Sequence, residues 1–438
     1  MKQIQKITPI ILLIALSLSI GISSISASSF KTNQDDKSKI ESLIDEYFAT
    51  RYQSGKTNID QDFSPFIDAN SKSIIAEIEK IKLENYINRS KNLFFSSYDY
   101  DLEYIEFNIG EDNSYATVIL YENSDVIYNI SMEIDKDNPI LTKLRNLKHK
   151  IELTKFDTDW KISADNYEDL VWKFIHGSGS EYKEVINIIN NNLEEENIAQ
   201  ILTTPSCNLP YDETTHEYNR YGAVDYAKKW ALSRNPEYYD FQQYDCTNFI
   251  SQAIHEGSLA AMSNESPSGW YYYDVYNRGV AWAAVDAFHV FTTHEYERDY
   301  FYQFGPEGCD LFSKYDLRLG DIVQFDFELD SENEFEHSVI ITAMEYVYGE
   351  NFYYFSAHSD NYVDKPLDSV LTYLNRRFIR IERIDGEIQF VYLPNVINSS
   401  ENTLISIAGD DLNLDNQAYP APGTSFINPT ETTRIGYP

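Results

Sequence analysis

From Asp36 onward the apolar positions fall with a helical period: Ile40, Leu43, Ile44 and Phe48 share one face. A second helix is expected through Ile74 to Leu93, where Ile75, Ile78, Ile81 and Ile87 recur in the same manner. The period then drops to two. Strands are expected over Tyr104 to Ile109, Ser114 to Tyr121, Val126 to Ile134 and Lys150 to Phe156, with a turn at Asp157 to Asp159 leading into Trp160 to Ser163. Farther on, Tyr221, Val224, Ala227 and Ala231 mark a helix stopped near Asn235-Pro236. A fourth helix is expected from Cys246 to Gly257, with Phe249, Ile250, Ala253 and Ile254 on its apolar side and Asp245 as its N-cap. Leu319 to Phe325, His337 to Thr342 and Phe352 to His358 read as core strands.

The very start has a different texture. Lys2 and Lys6 precede an apolar run from Ile7 to Ile22, and small residues follow to Ala27. This is the pattern of a secretory leader over 1–27, removed on export. No later segment is long and apolar enough to cross a bilayer. The rest of the chain divides by texture into an amino-terminal α+β region (28–196), a polar linker (197–217), a chemistry-bearing region (218–385) and a carboxy-terminal strand with a polar tail (386–438). Helices followed by a strand meander in the first region resemble the cone-shaped α+β fold of ketosteroid isomerase and nuclear transport factor relatives. That resemblance implies a binding or spacing role, and the region offers no motif for acid/base chemistry.

Charge and cysteine count narrow the function. A formal net charge of −35 disfavours nucleic acid and anionic lipid as partners. The three cysteines, Cys207, Cys246 and Cys309, form neither a disulfide framework nor a zinc pair. One bridge between Cys207 and Cys309 with Cys246 free, or three thiols, fit equally well. His294-Glu295 lacks the second histidine of a zinc hydrolase, and Asp411 to Asp415 lacks the glycine and glutamate of a calcium loop. No cofactor or metal is expected.

Cys246 is the best candidate for chemistry. At a helix N-terminus, unpaired N–H groups and the helix dipole favour a thiolate and can hold an oxyanion. The competing reading is a small buried core residue. His337, at the mouth of a strand, can serve as base. His358, Asp360 or Asn361 can orient it, with His358 favoured. Gln242, Gln243 and Tyr244 are open candidates for an oxyanion-hole side chain.

Four segments together resemble the putative amidase domain family, related to NlpC-type and papain-like cysteine hydrolases. They are Tyr218 to Ala227, Asp245 to Gln252, Gly320 to Phe325, and His337-Ser338 with Ala357-His358-Ser359. Trp270 and Trp282 also stand where that family places tryptophans. The resemblance implies an α+β, papain-like domain in which a helix bearing the cysteine packs on an antiparallel sheet. It also implies Cys246 as nucleophile, His337 as general base and His358 as orienting residue. The implied activity is that of a secreted amide hydrolase acting on peptides, peptidoglycan stem peptides among them. A non-catalytic binding protein on the same fold and an acyltransferase using the same thioester remain alternatives.

Overall fold

The computed structural model describes residues 25–130, 139–179, 184–191, 207, 209, 214–294, 304–328, 334–347, 349–371 and 375–386. All but the end of the expected leader, most of the linker and everything expected after Gly386 lie outside the described residues.

Two helices open the fold, α1 (Ile25–Thr57) and α2 (Lys72–Ser90). Their apolar stripes, with Ile40, Ile44 and Phe48 on one and Ile74, Ile78 and Ile81 on the other, are buried against Val118, Leu120, Ile151, Leu153, Trp160 and Ile162. Those partners come from β2 (Tyr115–Asn129), β3 (Leu141–Phe156) and β4 (Asp159–Asn166), which follow β1 (Phe94–Ile109). The two strands expected over 114–121 and 126–134 are one. Glu122-Asn123-Ser124-Asp125 looks like a turn, but the chain stays extended with a register shift between Glu122 and Ser124. Glu122 and Ser124 point inward, and Glu122 is satisfied there by His149 (3.0 Å) and by the Tyr52 hydroxyl. Residues 131–134 lie outside the described residues.

The periodicity assigns no element to 170–178, yet α3 (Leu170–Ser178) forms there, capped by Asp169 accepting from the Trp172 N–H at 2.9 Å. A further helical stretch, α4, covers 184–191. The remaining elements are β5 (Thr215–Glu217), α5 (Arg220–Trp230), α6 (Cys246–Ser258), α7 (Val280–Ala283), α8 (Val285–Thr293), β6 (Gly305–Leu311), β7 (Ile322–Asp326), β8 (His337–Val347), β9 (Glu350–Ala357), β10 (Tyr362–Pro366), α9 (Asp368–Leu371) and β11 (Asn375–Asp385).

The fold is mixed α+β around a large antiparallel sheet of 11 strands, ordered β1-β2-β3-β10-β9-β8-β7-β11-β5, with β4 on β3 and β6 on β11. The early and late halves of the chain join through β3 and β10, at Leu144 opposite Tyr362 and Lys143 opposite Val363. Alternation along β7 and β8 divides the late half into two cores. Phe325, Val339 and Ile341 face α3, while Ile322 and Ile340 face α5 and α6. Helices α5 and α6 lie close enough that a Cβ on Gly257 would stand 2.4 Å from the Ala223 Cα. A bridge joins Cys207 to Cys309 and leaves Cys246 as the free cysteine of the three.

Candidate active site

Cys246 is the first residue of α6 and is buried. Its thiol donates to the Glu336 carbonyl at 3.8 Å, lies 3.8 Å from the Thr247 hydroxyl, and receives the Ser338 backbone N–H. The sulfur therefore rests against the backbone on either side of His337. A chain of polar contacts steadies this junction. Thr247 Oγ1 meets Ser338 Oγ at 3.1 Å, and the Gln324 amide donates to Ser338 Oγ at 3.0 Å.

Burial sets the protonation states. It pushes the Cys246 thiol up, outweighing the Ser338 N–H, the Thr247 hydroxyl and the Lys173 charge, which pull the other way. The expected lowering by the helix start is reversed because the sulfur is removed from water. Burial, and after it the Lys173 charge, holds the His337 imidazole well below its usual range. Thiol and imidazole are both neutral as they stand.

The His337 ring lies parallel to Phe325, with centroids 6.3 Å apart, and beside Phe327. Its Nε2 is buried without a hydrogen-bond partner among the described residues. No hydrogen bond joins the ring to the sulfur.

The three candidates for orienting His337 are engaged elsewhere. His358 stacks on Phe249, with Nδ1 at 2.5 Å from Asp245 Oδ2 and Nε2 at 2.9 Å from the Trp230 carbonyl. It clamps the residue before the cysteine instead of holding His337. Asp360 takes the Lys173 ammonium at 2.9 Å, and Asn361 accepts from Arg234 at 3.0 Å. Asp245 makes no side-chain cap. Its carboxylate accepts from the Phe241 N–H at 3.0 Å and the Asn248 amide at 2.8 Å as well as facing His358. Gln242, Gln243 and Tyr244 are all exposed ahead of the cysteine. Trp270 and Trp282 are fully buried behind α6, donating to Ser251 Oγ and Asn248 Oδ1 at 2.9 and 2.8 Å.

Residues 217–381 match the family described as a putative amidase domain. The segment belongs to that family. Two relatives come from Bacillus subtilis (strain 168), and each is described as an uncharacterized protein. YhbB is 28% identical over 127 residues, covering 29% of this chain and 38% of its own length. YjcM is 24% identical over 230 residues, covering 49% of this chain and 48% of its own. The chain thus spans less than half the length of either relative. Among solved structures, the intermembrane space region of chloroplast protein ARC6 and the Kfla4162 protein from Kribbella flavida match at 13% and 12% identity. They cover 29% and 31% of this chain and 92% and 90% of their own, each with a TM-score of 0.22, too low to carry an argument.

Lys173 lies outside the amidase domain, on α3, and sequence reasoning missed it. Burial, the largest influence, pulls its ammonium pKa down, but the Asp360 carboxylate outweighs this and the net shift is upward. Its charge reaches both Cys246 and His337. Glu336, beside His337, accepts from the Phe327 N–H at 2.8 Å, and its carboxyl is pushed up to about 7 by burial and by the charges of Asp326 and Glu328. Neither residue sits in a recognisable string, so only the fold reveals them.

Proposed function

We propose that the amidase domain cleaves an amide bond through a Cys246 thioester. The observation that carries this reading is the seating of the free sulfur against the Glu336–Ser338 backbone, at the mouth of the strand that His337 begins. In the proposed sequence His337 moves within reach of the sulfur and takes its proton. The thiolate then attacks the amide carbon, and N–H groups at the start of α6 receive the oxyanion. Collapse of the tetrahedral adduct breaks the C–N bond, with the proton passing from His337 to the leaving amine. Water, activated by the same ring, hydrolyses the thioester, releases the acid and restores the thiol. Lys173 favours the thiolate by its charge.

The substrate class we propose is short extracellular peptides, including peptidoglycan stem peptides. Export is supported by the leader pattern over 1–27 and by the Cys207–Cys309 bridge, which suits an oxidising compartment. A papain-like arrangement is supported by the position of the cysteine at the start of α6.

A second reading, a non-catalytic binding protein on the same scaffold, has the burial of Cys246 and the missing sulfur–imidazole contact in its favour. Incubation of the full chain with purified cell wall and with short peptides, read by mass, separates the two. The enzyme reading expects released amines with wild type and none with Cys246→Ala. Equal release by both, or none by either, overturns it.

A further inference from the structure

A cavity of about 150 Å³ lies where the early and late halves of the sheet meet, away from Cys246. Helices α1 and α2 and strands β1 to β3 form most of it, and Tyr362 and Lys365 of β10 close one side. The early region carries no acid/base motif along its sequence, but the fold gathers titratable side chains beside this cavity from residues scattered between 51 and 169.

The carboxylates there are already satisfied. Glu122 takes the His149 ring at 3.0 Å and the Tyr52 hydroxyl. Asp169 and Glu84 share the Lys80 ammonium at 2.6 and 3.1 Å. Lys365 is the exception. Its ammonium lies 3.9 Å over the Tyr362 ring and has no carboxylate partner or hydrogen bond among the described residues. Burial pulls its pKa down by more than the nearby carboxylates of Asp169, Glu84 and Asp360 raise it. The Asn88 side chain and the Tyr362 hydroxyl line the same cavity, and neither makes a hydrogen bond among the described residues. Phe95, Leu144 and Leu147 supply apolar wall.

Polar groups that line a cavity without a protein partner are rare in folded proteins and call for an occupant such as water, an ion or a ligand. Here they are the Lys365 ammonium, the Asn88 amide and the Tyr362 hydroxyl. The Arg51 guanidinium, whose Nη1 is buried without a hydrogen bond among the described residues, shares the lining with them and with the apolar wall. We propose that this cavity binds a small monocarboxylate with an apolar body, its carboxylate on Lys365 and its body against Phe95, Leu144 and Leu147. A cavity near 150 Å³ accepts a body of about six to nine non-hydrogen atoms, the scale of a benzene ring. The occupant touches both halves of the sheet and so ties them together.

Calorimetric titration of the full chain with benzoate and with the isosteric, neutral benzamide tests this. Benzoate is expected to bind at least about tenfold more tightly than benzamide, the scale of a charge-assisted hydrogen bond. Lys365→Met should abolish that preference while leaving benzamide affinity unchanged. A crystal soaked in benzoate should place the carboxylate within hydrogen-bond distance of Lys365 Nζ, a readout that survives if the variant misfolds. Equal affinity for the two compounds overturns the proposal. So does a benzoate preference that persists in Lys365→Met, no saturable binding of benzoate, or a carboxylate lying elsewhere.

Discussion

At the scale of single residues, the site holds a neutral thiol and a neutral imidazole that make no hydrogen bond to each other, both held neutral by removal from water. Its reactivity then depends on charges nearby. Lys173→Met should shift the pH midpoint of Cys246 alkylation upward, because the ammonium favours the thiolate, whereas Lys173→Arg should hold it in place. An unchanged midpoint in the Met variant would remove Lys173 from the site's electrostatics. Cys246 itself was legible from the sequence because a helix signal and an N-terminal position coincide in one short string. The partners of His358 were not. Asp245 is 113 positions away and Trp230 is 128, and only strand order brings them to the ring.

At the scale of elements, α6 is held by contacts that leave no room. Gly257→Ala would drive a methyl into the α5 backbone at Gly222 and Ala223. The expected cost is about 1–3 kcal/mol of overpacking, read by urea unfolding, with slower labelling of Cys246 as the helix start shifts. The strands of the early region carry a second device, His149 between Glu122 and Asp165 at 3.0 and 2.7 Å. Burial opposes its charge, yet the Asp165 and Glu122 carboxylates raise its pKa to about 9. A histidine raised above its unfolded value contributes stability that is complete below about pH 6.5 and is lost as pH rises through about 9. The melting temperature should therefore fall across that window, and His149→Gln should melt lower with a flatter pH profile. His149→Ala, which leaves two carboxylates facing each other, should cost about 3–5 kcal/mol. Element type was readable wherever the apolar period was long, as in α1, α2 and α6. It failed at β2, where Glu122 and Ser124 imitate a turn and are paid for by buried polar partners contributed from elsewhere in the chain.

At the scale of the whole molecule, one sheet runs through both halves, so the early region is part of the amidase domain's surroundings. Through α3 it lends Lys173 to the cysteine and covers the face on which the His337 ring lies. Nothing in the local sequence announces this, because the junction rests on short β10 and on two residue pairs. The Cys207–Cys309 bridge closes a loop over a separation of 102 residues. Its reduction should cost roughly 4–5 kcal/mol by chain entropy, read as a lower unfolding midpoint. Without reductant, the denatured protein should titrate a single thiol, which makes chemical labelling specific for Cys246. The most direct test is therefore the rate of alkylation of that thiol in the native full chain near neutral pH, in wild type and in His337→Ala. Loss of a positioned base predicts labelling slower by about 10²-fold or more. Equal rates in the two proteins, or a wild-type rate no faster than that of a free thiol, would contradict nucleophilic catalysis by Cys246.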